Sequence, residues 1–270
     1  MIECRGAIAA AAGLLLLMQP AVAAPPLREA PNPGAVPFDQ LAVAGNACGP
    51  AALLNGFRFG DKNWQRALTS VAGDTDKARL LSLIRTWGLR PSKSLAGRKR
   101  WGRHGMNADD LCDIANEVGR TQLLPQLQCE GLMIRPGESP PKLLERVRSR
   151  LETSLTRGIP PIISVRRIVL RKTAGKAPEW VVLQGHFLTI TSVPRKLEKN
   201  ADSFPIHYLD PWGGHRGEGR LVVSSRAFVS VPGAVAPCLE ADLPQVEAGN
   251  QQARAGEKTL LTLAAGIGKW

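Results

Sequence analysis

The sequence predicts an α+β fold in which a helical front half packs on an antiparallel sheet built from the back half. Two observations carry this expectation. Between residues 50 and 156 apolar residues recur at helical spacing between recognisable caps, whereas after Gly158 the apolar runs shorten, become rich in Val, Ile and Thr, and are separated by Pro, Gly and charged turns. Helices first and strands second is the order of an α+β arrangement rather than of an alternating parallel sheet.

In chain order, Arg5 is a short positive start, Gly6 to Met18 is apolar, and Ala21-Val22-Ala23 precedes Ala24-Pro25-Pro26. That pattern predicts a secretory signal peptide over residues 1–24, and hence a secreted or periplasmic protein. A retained anchor is the other reading of Gly6 to Ala24, because its length is close to that of a bilayer span. After cleavage no membrane segment is expected. Residues 25–36 are Pro/Ala-rich and read as an extended arm. A single domain is expected over 37–240, with 241–270 as a loosely attached tail.

Within the domain, helices are predicted at Pro50 to Phe59, Asn63 to Val71, Asp76 to Trp87 and Ala108 to Val118. The last has Asn107 as its cap and Asp109 and Asp110 in its first turn, where carboxylates favour the helix dipole. A fifth, Pro140 to Thr156, starts at Ser139 and ends at Gly158. Pro91 to Met106 carries Lys93, Arg98, Lys99, Arg100, Arg103 and His104 around Trp101. It reads as a flexible basic loop, or more sharply as a flap that touches substrate. Strands are predicted at Ile162 to Leu170, Trp180 to Val193, Ile206 to Leu209 and Leu221 to Val231. Gly213 to Gly219 is Gly-rich without the Lys-Ser/Thr of a phosphate loop and reads as a turn.

Composition narrows the function. The formal charge is +12, yet the basic residues are dispersed, aromatics make up 5% and Tyr208 is the only tyrosine, so no nucleic-acid partner is expected. Beyond Cys4, which leaves with the signal peptide, the cysteines are Cys48, Cys112, Cys129 and Cys238. None forms a C-x-x-C pair or a Cys/His spacing suited to zinc, so neither metal nor cofactor is expected. In an oxidising compartment Cys112 and Cys129 are the pair that could bridge, but Cys112 lies on an apolar helix face, where a small buried thiol is the favoured reading.

The most telling segment is Asn46-Ala47-Cys48-Gly49-Pro50-Ala51-Ala52-Leu53-Leu54-Asn55. It places one cysteine at the start of a proline-initiated apolar helix, where the positive end of the dipole favours thiolate. A cysteine nucleophile needs a base, and the base needs a group to fix its tautomer. His186 lies in a β-branched apolar strand, Gln184-Gly185-His186-Phe187-Leu188-Thr189-Ile190-Thr191. Tyr208-Leu209-Asp210-Pro211-Trp212-Gly213-Gly214 ends the next strand with a carboxylate. Antiparallel pairing symmetric about Lys199 brings Asp210 within a few residues of the level of His186.

These three segments, in this order, resemble the papain-like cysteine peptidases of the bacteriocin-leader (double-glycine) peptidase type. The resemblance covers roughly Val36 to Val231 and includes Gly158-Ile159-Pro160-Pro161-Ile162-Ile163-Ser164-Val165, which fits the strand before the histidine strand. It implies a papain-like fold, a peptide or protein substrate, Cys48 as nucleophile, His186 as general base then acid, and Asp210 as its orienter. That family places a glutamine six residues before the cysteine to bind the oxyanion, whereas position 42 is Ala. Gln40 and Asn46 are the substitutes at hand. The same Cys-Gly-Pro and Gly-His-Phe motifs are similar to those of phytochelatin-synthase-like transferases, so acyl transfer is an alternative to hydrolysis. A binding module without turnover is the reading outside enzymes.

Overall fold

The computed structural model describes residues 26–172, 175, 178–224, 228–231, 234–236 and 238–270. The signal peptide and the anchor alternative lie outside the described residues. Among these, no helix is long and apolar enough to cross a membrane.

Among the described residues five α-helices form, α1 (Cys48–Phe59), α2 (Lys62–Ser70), α3 (Asp76–Leu83), α4 (Ala108–Arg120) and α5 (Pro140–Thr156). Their starts follow the capping chemistry of the sequence. Asp61 accepts from Asn63 and Trp64 N–H groups, Thr75 from Ala78, and Asn107 from Asp110. Several predicted boundaries shift by one or two residues, α2 to Lys62–Ser70 and the end of α4 to Arg120, and two shifts bear on the fold. The first helix begins at Cys48, two residues before Pro50, and Pro50 still sits in the first turn, where its missing N–H costs no intrahelical bond. The third ends at Leu83 and continues to Gly88 as a wider π turn.

Among the described residues ten strands form, more than the four predicted and with the predicted Leu221 to Val231 run divided between two of them: β1 (Leu27–Glu29), β2 (Gln128–Gly131), β3 (Ile162–Arg171), β4 (Glu179–Pro194), β5 (Ser203–Asp210), β6 (His215–Val223), β7 (Phe228–Val231), β8 (Ala234–Ala236), β9 (Leu239–Asp242) and β10 (Thr259–Gly268). The main sheet runs β1-β4-β3-β10-β9-β6-β5, and β4 also pairs with β5. Six strands therefore close into an antiparallel ring, and closure leaves those strands no free edges. One core gathers Ile163, Val165, Leu188, Ile190, Phe204, Ile206, Leu221, Leu239 and Leu263 from all six ring strands, with Leu144, Val147 and Leu151 of α5. The other packs α1 to α4 through Leu53, Leu54, Trp64, Leu80 and Leu111 onto Ile162, Phe187 and Ile267 of the sheet.

Several expectations are corrected. The described part of the 25–36 arm is extended as expected at Leu27–Glu29 but belongs to the domain, since Leu27, Arg28 and Glu29 pair with Pro194, Val193 and Ser192, and Ala30 is buried. The 241–270 tail is part of the domain: β10 is a ring strand between β3 and β9, with Leu263 and Ile267 buried. Gly213 to Gly219 is a turn only at Gly213 and Gly214, both at positive φ, and the rest belongs to β6. The 91–106 loop is pinned at Arg100, which is buried and donates to Glu117 at 2.7 Å, and at Trp101, whose indole N–H donates to the Asn46 carbonyl at 3.1 Å. Cys112 and Cys129 are free thiols, the reading the sequence favoured over a bridge.

The glycines of β6 have a steric purpose. A Cβ on Gly217 would lie 2.4 Å from the Tyr208 ring, which is buried against it. Gly217→Ala is expected to cost about 1–3 kcal/mol of stability by overpacking, read as a lowered thermal midpoint. An unchanged midpoint would show that the ring moves freely.

Candidate active site

The N-terminal turn of α1 presents Cys48 at the wall of a cleft of about 470 Å³. Two buried hydrogen bonds fix that helix. Thr189 Oγ1 of β4 donates to the Ala52 carbonyl at 2.9 Å, and Asn55 Oδ1 accepts the Phe38 N–H at 2.7 Å. The first bond ties the cysteine helix directly to the histidine strand.

His186 and Asp210 are 3% and 5% exposed, and His186 Nε2 lies 2.7 Å from Asp210 Oδ1. The register explains the meeting. Thr189 pairs with Leu209 and Ile190 with Tyr208, so Asp210 ends β5 two positions from the level of His186. The same Asp210 oxygen accepts the Trp212 N–H at 2.8 Å, which holds the carboxylate on the turn that follows. With Nε2 occupied by Asp210, Nδ1 is the ring nitrogen left facing Cys48, whose thiol lies within electrostatic reach of the imidazole.

Burial by itself would push the Cys48 thiol up. The hydrogen bond and charge of His186, with the backbone N–H groups of Phe187 and Gly49, outweigh it and hold the thiol below its ordinary value. Burial likewise disfavours the charged imidazole, but Asp210 and Cys48 prevail and hold His186 above its ordinary value. Opposite shifts on touching partners describe a thiolate–imidazolium pair that titrates as a unit. The other thiols have no such partner: burial first, and nearby carboxylates, push Cys112, Cys129 and Cys238 up to about 12.

Of the two oxyanion candidates, Asn46 lines the cleft beside Cys48. Its amide donates one N–H to the Gly102 carbonyl at 2.8 Å and keeps a second. Gln40 does not line that cleft. It is fully buried, and its Nε2 donates to the Gly45 carbonyl at 2.6 Å, bracing the turn that leads to Cys48. Sequence reasoning passed over Phe187 and Gly49, which act through backbone N–H groups invisible to residue type. It also passed over Arg166 of β3, where a cation interrupting the run Ile162-Ile163-Ser164-Val165 was the available signal. A separate cavity of about 450 Å³, lined by Glu29, Ser192, His207, Tyr208 and Arg216, does not include Cys48. Among the described residues no cluster of three or more His, Cys, Asp or Glu is placed to hold a metal ion.

No protein-family model matches the chain, and no curated protein matches it.

Proposed function

We propose that this protein is an exported cysteine peptidase of papain-like fold, a reading carried by Cys48 at the cleft wall beside a His186 hydrogen-bonded to Asp210. Cys48 Sγ attacks the scissile carbonyl carbon, and the carbonyl oxygen takes the negative charge. Asn46 Nδ2 and N–H groups at the start of α1 are the donors closest in the chain to that charge. His186 gives its proton to the leaving amine as the C–N bond breaks, leaving a thioester on Cys48. His186 then takes a proton from water, whose oxygen attacks the thioester carbon, and the acid departs as the thiolate is restored. Asp210 keeps the imidazole in the productive tautomer throughout.

A binding module without turnover is favoured by one observation, Ala at position 42 together with a fully buried Gln40 that does not line the cleft. A missing oxyanion donor costs about 2.7–4 kcal/mol of transition-state stabilisation. The deciding experiment incubates the purified protein and its Cys48→Ala variant with a mixed peptide pool, with and without an added amine, and identifies products by mass spectrometry. Hydrolysis is expected to give new acids in the wild type and none in the variant. New amides would assign acyl transfer instead, and hydrolysis retained by Cys48→Ala would sink the proposal.

A further inference from the structure

The cleft that holds Cys48 is cationic on one side. Arg103, His104 and Arg166 line it, and among its described lining residues there is no Asp or Glu. Several other partly or fully buried arginines are neutralised, Arg58 by Asp76, Arg100 by Glu117, Arg146 by Glu138, Arg148 by Glu145 and Arg171 by Glu257, whereas half-buried Arg79, which does not line the cleft, also lacks a carboxylate partner among the described residues. Arg167, next to Arg166, places its guanidinium on the Val246 and Ala248 carbonyls and the Thr259 hydroxyl. Half-buried Arg166 has no carboxylate within ion-pair distance among the described residues. Cys238, which feels its charge, is pushed up to about 12, chiefly by burial, and stays a neutral thiol.

Its position relative to the nucleophile follows from the register. Ser164 pairs with Phe187, whose N–H reaches the Cys48 sulfur, and Arg166 pairs with Gly185 two positions further along the same strands. Two strand residues span about 7 Å, close to the length of two residues of an extended substrate. Gly185 on one neighbouring strand and Ala264 and Ala265 on the other contribute little bulk there, so a chain can lie alongside the arginine.

We infer that the cleft selects acidic peptides, holding a carboxylate about two residues from the scissile bond on Arg166, with Arg103 adding positive field at the rim. The inference rests on the peptidase reading above, and the test separates the two. Cys48 is alkylated with iodoacetamide, which is neutral, and with iodoacetate, which carries the carboxylate, and the rate ratio is referred to that of N-acetylcysteine. The imidazolium of His186 is common to every variant, so the effect of Arg166 is the part that Arg166→Gln removes. The iodoacetate preference is expected to fall about fivefold in Arg166→Gln and to survive in Arg166→Lys, and to fade in the wild type as salt shortens the Debye length from about 30 to about 3 Å. A peptide pool containing Asp and Glu is expected to be cut in preference to the same pool with Asn and Gln, again only with a cation at 166.

Rapid iodoacetamide labelling with a ratio indifferent to both Arg166→Gln and salt would overturn acidic selection and leave the peptidase reading standing. A wild-type Cys48 inert to both reagents would remove both. If Arg166→Gln does not fold, the wild-type salt dependence and the two peptide pools decide: a ratio indifferent to salt with equal cutting overturns the inference.

Discussion

Replacing His186 with alanine is expected to slow alkylation of Cys48 by iodoacetamide at pH 6 by about tenfold or more, and to turn a flat pH profile into a rising one. The sign follows from the directions of the two shifts. Cys48 is held below its ordinary value, which extends its thiolate toward the acid side of the usual thiol range, and His186 is held above its own, so the imidazolium survives past neutrality. Between those limits the pair is ionised and reactivity is constant. Without the imidazole, burial remains and works against the thiolate. A thiol at its unperturbed value of about 8.5 is ionised to roughly one part in 300 at pH 6. The greater nucleophilicity of a more basic thiolate recovers part of that loss, with a Brønsted slope of about 0.4–0.5. Mass spectrometry assigns the label, and Cys112, Cys129 and Cys238, at about 12, are not expected to compete. A wild-type profile that rises only near the ordinary thiol range would mean that Cys48 is not paired and would return the binding-module reading.

Stopping the chain at Gly256 is expected to abolish cooperative unfolding altogether. The cut removes β10, which pairs with β3 over most of its length and with β9 and β2, so the ring opens between β3 and β9. Leu261, Leu263 and Ile267 leave the two cores, at about 1.5–3 kcal/mol for each fully buried side chain. The exposed ladders of β3 and β9 add to that cost. The sum reaches the whole stability of an ordinary domain, about 5–15 kcal/mol. Circular dichroism against temperature checks it. A truncated protein that keeps a cooperative transition within a few degrees of the full chain would mean that β10 is dispensable. The Gly217→Ala measurement probes the same ring at a single contact.

The docked N-terminal segment and the β10 strand were illegible for the same physical reason. Both are short or Gly/Ala-rich, and each finds its partner far along the chain, Leu27 at Pro194 and Thr259 at Val169. Their hydrogen bonds are main-chain bonds that any sequence can make, and nothing local names the partner. The glycines of 213–219 misled in a related way. Gly217 and Gly219 are strand residues kept small by the Tyr208 ring and by the backbone at Asp242, contacts absent from the sequence. The 91–106 loop read as mobile because its charges look solvated, whereas Arg100 is buried against Glu117.

The helices were legible, because caps and 3.6-residue periodicity are properties of neighbouring residues; α5 spans the predicted Pro140 to Thr156. So was the pairing of β4 with β5, since a short connection between antiparallel strands fixes the register about its midpoint, here Lys199. That local geometry is why the meeting of His186 and Asp210 followed from sequence. Sequence by itself therefore determined the α+β class, the cysteine at the head of a helix, and the histidine and carboxylate on adjacent strands. Only the tertiary structure decided that α1 is pinned to the histidine strand by Thr189, that Asn46 and not Gln40 reaches the cleft, and that Arg166 stands in it without a carboxylate. Those outcomes depend on which distant segments pack together, and packing is set by the whole chain.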